Sequence, residues 1–152
     1  MDNLLEIKNL SKTYYTVDKE ILAIKNVDFK IEEDSIVAIV GPSGCGKSTL
    51  LNIIGNLDTK TNGEIIFKNN KNNIGYMFQN DCLFPWLTIL DNCLIGLKIK
   101  RKITNTDKEY VIDLLKNYGL EDFIYSYPSS LSGGMRQRVG CMVLRHKKYY
   151  FL

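Results

Sequence analysis

Residues 41–49 read Gly41-Pro42-Ser43-Gly44-Cys45-Gly46-Lys47-Ser48-Thr49, and the fold follows from this stretch. The pattern is G-x-x-x-x-G-K-[ST] with an extra glycine at Gly44. Glycines ahead of a Lys-Ser pair let backbone N–H groups converge on phosphate oxygens more closely than side chains can crowd. In such a loop Lys47 would bridge the β- and γ-phosphates, and the Ser48 hydroxyl would coordinate magnesium. The flanks supply the required setting of strand, turn and helix. Ser35–Val40 is an apolar, β-branched run that predicts a strand, and Thr49–Leu57 has helical spacing.

The 152 residues leave room for one ordinary domain and its core. An apolar fraction of 45% with 24% charged residues belongs to a soluble globular protein. The net charge of +3 is too small to argue for nucleic acid, and no partner of that kind is expected. Arg145-His146-Lys147-Lys148 is a basic run that reads first as a solvated helix end favoured by the dipole, and second as a phosphate contact. Cys45, Cys82, Cys93 and Cys141 are spaced too widely for a metal pattern. Cys45 sits inside the loop beside Lys47, open to alkylation when no nucleotide is bound. With no apolar run of about 18 residues and no signal-like start, the expected location is cytoplasmic, with any membrane link through a partner.

Along the chain, Leu4–Leu10 and Ile21–Ile31 read as strands of a small sheet, with Ile7, Val27, Phe29 and Ile31 buried. Gly63–Phe67 and Ile74–Phe78 read as two more, joined by polar 68–73. From Thr88 to about Lys98 the spacing turns helical. A second helix is expected over Thr106–Tyr118, started by a capping box of Thr106 and Glu109 and ended by Gly119. Tyr110, Val111, Leu114, Leu115 and Tyr118 would be its apolar face. A third helix is expected from Ser132-Gly133-Gly134 to about Arg145, and Tyr149–Leu152 looks like the opening of a buried strand.

Leu131-Ser132-Gly133-Gly134-Met135-Arg136-Gln137-Arg138 is the second informative motif. Ser132 can cap the helix while Gly133 and Gly134 leave their N–H groups open to an anion. With residues 41–49 it makes the chain resemble ABC-type ATPases, the nucleotide-binding subunits of ATP-driven transporters. The resemblance implies an α/β P-loop NTPase fold of ABC type, with an N-terminal antiparallel β-subdomain, an inserted helical subdomain and an incomplete parallel sheet. Residues 1–84 would hold the β-subdomain and part of the core, 85–135 the helical insert, and 136–152 the return to the core. It implies ATP and Mg2+ as ligands. It implies two partners: a second nucleotide-binding subunit, here a second copy of the chain, and a transmembrane permease that holds the subunit at the inner face of the membrane. In the family the signature, Leu131 to Gln137, meets the ATP held by the loop of the second subunit.

The same resemblance assigns further residues. Gln79 looks like the family's glutamine loop, a magnesium ligand and sensor of the γ-phosphate and its water, though the residues alone also allow a polar end to a strand. Tyr14 falls at the aromatic position that stacks on adenine; Tyr15 could take that role, or both could pack in the small sheet. Pro85-Trp86 resembles the importers of nitrate, sulfonate, taurine and related solutes, and would form the surface that receives the permease. The alternative for Trp86 is internal packing.

Relatives continue with a strand that carries a magnesium-organising aspartate and the catalytic glutamate, then a histidine. The chain is expected to be truncated before these acids, and His146 lies on the wrong side of the strand to replace the histidine. Hydrolysis needs a positioned water and a carboxylate. Two functions therefore stand: an ATPase subunit powering import of a small solute, and an inactive nucleotide-binding remnant.

Overall fold

The computed structural model describes residues 3–68, 74–144 and 150–151, and falls into two compact units that divide at Ile74/Gly75. In the first unit β1 (Asn3–Tyr15) is the central strand of an antiparallel sheet, flanked by β2 (Glu20–Glu32) and β3 (Asn62–Phe67) in the order β2-β1-β3. Both long strands outrun the sequence expectation, because irregularities let pairing continue past polar positions. Asn9 and Asn26 take left-handed φ of 48° and 45° beside register shifts, a conformation asparagine tolerates better than most residues. The Asn26 N–H donates to Ser11 Oγ at 2.9 Å and the Asn9 N–H to Asp28 Oδ1 at 2.8 Å.

Leu5, Ile7 and Leu10 of β1 form the core with Ile24 and with Leu50, Ile53 and Ile54 of α1 (Lys47–Ile54). Spacing of three and four puts those α1 residues on one face. Of the four predicted buried positions, Ile7 is fully buried, while Val27, Phe29 and Ile31 are only half-buried. Val27 and Phe29 instead line an open groove of about 580 Å3 with Val37, Ile39 and Leu50.

The strand expected at Ser35–Val40 is not formed: among the described residues nothing pairs with it, and Ile36 and Val40 are 101% and 87% exposed. β-branched composition favours an extended chain, but a strand also needs a ladder partner. The three-stranded sheet is antiparallel in both of its pairings. Of the strand expected at Ile74–Phe78, β4 (Ile74–Gly75) forms, paired with β5 (Tyr150–Phe151). Most of the polar stretch 68–73 and the basic run 145–148 with His146 lie outside the described residues.

The second unit is helical. α2 (Ile89–Lys100) is capped by Thr88, whose side chain accepts from the Asp91 N–H. α3 (Asn105–Asn117) begins earlier than predicted: its capping box is Thr104 with Asp107, not Thr106 with Glu109. Both pairs have the spacing, and Arg101, just ahead of the helix, favours the first. Both Asp107 oxygens accept from Arg101, at 2.7 Å each, which places the carboxylate at the Thr104 N–H. The guanidinium holds the Asp107 carboxyl well below its usual range, helped by the Thr104 backbone and hydroxyl. Gly119 ends the helix at φ 66°. Val111, Leu114 and Leu115 are buried as predicted, but Tyr110 and Tyr118 are 52% and 41% exposed. α4 (Gly133–Leu144) completes the core through Val139 and Met142.

Candidate functional site

The loop 41–49 turns through Gly44 and Gly46, whose φ angles of 80° and 98° are costly for any residue with a Cβ. At Gly46 a Cβ would also stand 2.6 Å from the Ala23 carbonyl oxygen. This close approach seats the loop on β2. Lys12 pairs with Ile24 and Thr13 with Leu22, so Ala23 is the residue without a partner in the register, and its carbonyl faces the loop. Gly46 caps α1 directly, and the Leu50 N–H donates to its carbonyl at 2.9 Å.

Lys47 folds back over the loop. Its ammonium donates to the carbonyl oxygens of Gly41 at 2.8 Å and Pro42 at 2.6 Å, and meets Cys45 Sγ at 3.6 Å. The cation is therefore held where the loop backbone converges. The first N–H groups of a helix have no partner within it, and the dipole adds positive potential at that end. Ser43, Gly44, Cys45 and Ser48 are exposed, and Thr49 is half-buried. Ser48, on the first turn of α1, offers a neutral hydroxyl, the kind of single protein ligand magnesium takes when phosphates and water fill its other positions. The donor set thus fits a magnesium–polyphosphate complex.

Tyr14 lies at the end of β1, in register with Ile21. Ala23, which meets the loop, is two residues farther along β2, about 7 Å at ordinary strand rise. Tyr14 is 37% exposed, against 67% for Tyr15. Its hydroxyl donates to Asp58 Oδ2 at 2.7 Å, and the Lys12 ammonium stands 4.6 Å from the ring centre. Lys12 and Asp58 escaped sequence reading. A lysine between apolar Leu10 and the tyrosines gives no local sign that it is buried.

Gln79 and the signature lie in the second unit. Gln79 is exposed, in a bend after β4. Leu131 is 4% exposed and packs in the helical core with Met135 beside it. Ser132 caps α4: its Oγ accepts from the Met135 N–H at 3.3 Å and its carbonyl from the Arg136 N–H at 3.0 Å. Gly133, Gly134 and Gln137 are exposed, with open space around both glycines. Arg136 points the other way. Its Nε donates to Asp81 Oδ2 at 2.7 Å and its Nη1 to the Leu131 carbonyl at 2.6 Å. The signature helix is thereby tied to the segment that carries Gln79, a link no local pattern announces.

Pro85 and Trp86 form an outward turn. Trp86 is 69% exposed with its ring 5.4 Å from that of Phe84, so the internal packing considered for it is not what the fold uses. The turn is held by Asn92, a residue missed in the sequence. Asn92 is 1% exposed. Its Oδ1 accepts from the Phe84 N–H at 2.8 Å, and its Nδ2 donates to the carbonyls of Phe84, Leu87 and Thr88 at 3.0–3.1 Å. The one available signal was a polar side chain on an apolar helix face. Cys93, its neighbour, is buried, which pushes the thiol up to about 12.

A protein-family model described as ABC transporter matches residues 24–152. The spermidine/putrescine import ATP-binding protein PotA of Borreliella afzelii is 40% identical over 148 residues, covering 91% of this chain and 42% of that protein. The aliphatic sulfonates import ATP-binding protein SsuB of Bacillus cereus is 36% identical over 140 residues, covering 89% and 55%. Since a polyamine importer and a sulfonate importer match alike, the branch suggested by Pro85-Trp86 is not singled out. The chain spans about half the length of the curated relatives it matches. Among solved structures, the dimeric post-hydrolysis state of the ATP-binding cassette MJ0796, bound to ADP and Pi, superposes with a TM-score of 0.83 at 36% identity, over 95% of this chain and 70% of that one. No helix of the described residues is long and apolar enough to cross a membrane. By its loop, its signature and the match over residues 24–152, the chain belongs to the ABC transporter family, as an ATP-binding domain.

Proposed function

We propose that residues 41–49 bind the phosphates of Mg-ATP, with Tyr14 against the adenine, and that in the complete family domain this ATP is hydrolysed to drive import of a small solute. The observation that carries the reading is the loop: left-handed Gly44 and Gly46, with the Lys47 ammonium already gathered onto the carbonyls of Gly41 and Pro42. Ser48 contributes to magnesium, and Gln79 senses the γ-phosphate and its water as the second protein ligand. The signature Leu131–Gln137 at the N-terminus of α4 faces the ATP of a second copy of the chain, through its exposed residues Ser132, Gly133, Gly134 and Gln137. Likeness to a dimeric cassette supports that pairing.

The exposed turn at Pro85-Trp86 is the docking point for a transmembrane permease, which holds the subunit at the cytoplasmic face of the membrane. The same turn favours a solute of the nitrate, sulfonate or taurine kind. Residues 85–135 act as the helical subdomain, and residues 1–84 with 136–152 as the core. The step that the described residues themselves support is binding of Mg-ATP.

Calorimetric titration of the chain with Mg-ATP tests this. Lys47 makes charge-assisted contacts worth about 1.5–3 kcal/mol, so Lys47→Ala should weaken binding about tenfold or more. Equal affinity in the parent chain and the variant, or no binding by the folded parent, refutes the proposal.

A further inference from the structure

We propose that Lys12 and Asp58 are positioning residues that fix the Tyr14 ring as a rigid platform for the nucleobase beside the loop 41–49. The inference rests on the nucleotide reading of that loop and of Tyr14.

Lys12 is 7% exposed, and lysines are seldom so buried unless paired. Here the ammonium donates to Asp58 Oδ1 at 2.7 Å and to the Thr59 carbonyl at 2.5 Å, and lies over the Tyr14 ring. The remaining carboxylate oxygen takes the Tyr14 hydroxyl. One anion therefore joins the cation beneath the ring to the hydroxyl at its tip.

A tyrosine side chain has two rotatable bonds. A charge-assisted hydrogen bond at the hydroxyl and a cation against one face restrain both. The ring keeps part of its surface open to a ligand. The anchor is itself tied to the loop. The Asp58 N–H donates to the Asn52 carbonyl of α1 at 3.2 Å, and α1 begins at Lys47. On the other side, β1 carries Tyr14 and β2 carries the Ala23 carbonyl that meets Gly46. Platform and loop are thus held in one frame by two routes. A ring ordered before binding spares the complex the loss of side-chain freedom that a loose ring would suffer.

The test separates base from phosphate. The 152-residue chain is titrated by calorimetry with Mg-ATP and with magnesium tripolyphosphate, and the affinity ratio isolates the base. Stacking on an aromatic ring carries about tenfold or more in affinity, so the parent chain should prefer ATP by that factor and Tyr14→Ala should lose the preference. Tyr14→Phe keeps the ring and removes only its anchor, while Lys12→Met removes the cation. Each should lower the ratio about threefold or more, part of the stacking gain, and leave tripolyphosphate affinity unchanged. A purely structural pin would weaken both ligands together and leave their ratio unchanged, and that result overturns the inference. If Tyr14→Ala abolishes the preference while Tyr14→Phe and Lys12→Met keep it in full, the positioning role is wrong and the nucleotide reading stands. If the parent chain shows no preference for ATP, the Tyr14 reading fails and takes the inference with it.

Discussion

Replacing Asn92 should be far more damaging than replacing any exposed residue of the turn it holds. The amide has two protons for three carbonyls, so one contact is shared. Two of those carbonyls keep other partners: the Thr88 carbonyl accepts the Asn92 N–H at 2.9 Å and the Phe84 carbonyl the Leu87 N–H at 3.1 Å. The Phe84 N–H has Asn92 Oδ1 as its acceptor. Asn92→Ala therefore orphans one donor, at about 1–3 kcal/mol, and removes the modest net gain of the carbonyl contacts, for a total of about 2–4 kcal/mol. A small domain has about 5–15 kcal/mol in all. The assay is urea unfolding followed by fluorescence of Trp86, the single tryptophan, which sits on the clamped turn. Asn92→Ala should lower the midpoint and change Trp86 emission in the native baseline. Asn92→Asp should be worse at neutral pH, because an oxygen replaces the amide that faced three carbonyls. Its deficit should shrink in acid, as a protonated carboxyl can donate again. An alanine variant within about 0.5 kcal/mol of the parent, the range of ordinary surface changes, with Trp86 emission unaltered, would refute the clamp.

Two further outcomes follow from the same structure. Thr104→Ala should cost about 1 kcal/mol, the usual loss of an N-cap, while Thr106→Ala should cost no more than a change of helix propensity; parallel thermal melts compare them, and the reverse order would restore the cap at Thr106. Asp58 is depressed to about 2, first by the hydrogen bond from Lys12 and then by that from Tyr14. A carboxyl lowered on folding contributes stability above its unfolded value of 3.8 and loses it as the pH falls towards 2. Denaturant titrations in that window should show a steeper loss for the parent chain than for Asp58→Asn, and identical slopes would contradict the Lys12–Asp58–Tyr14 cluster.

The sequence alone determined the glycine turn ahead of α1, the serine cap of α4 and the three long helices. Each is written in neighbours: glycines where φ must be positive, a hydroxyl before the first turn, apolar residues three and four apart. It chose the wrong cap for α3, since two threonine–acid pairs had the same spacing and only the fork of Arg101 distinguishes them. Apolar composition alone suggested a strand at Ser35–Val40, whereas strand formation depends on a partner that local composition does not contain. Tertiary structure also decided which polar residues hold the site. Lys12 finds Asp58 across 46 positions and Arg136 finds Asp81 across 55. Asn92 closes a turn by burying an amide that reads locally as a flaw in an apolar face. Local patterns fix dihedrals and faces, but a buried polar group is stabilised only by the particular partner that folding brings to it.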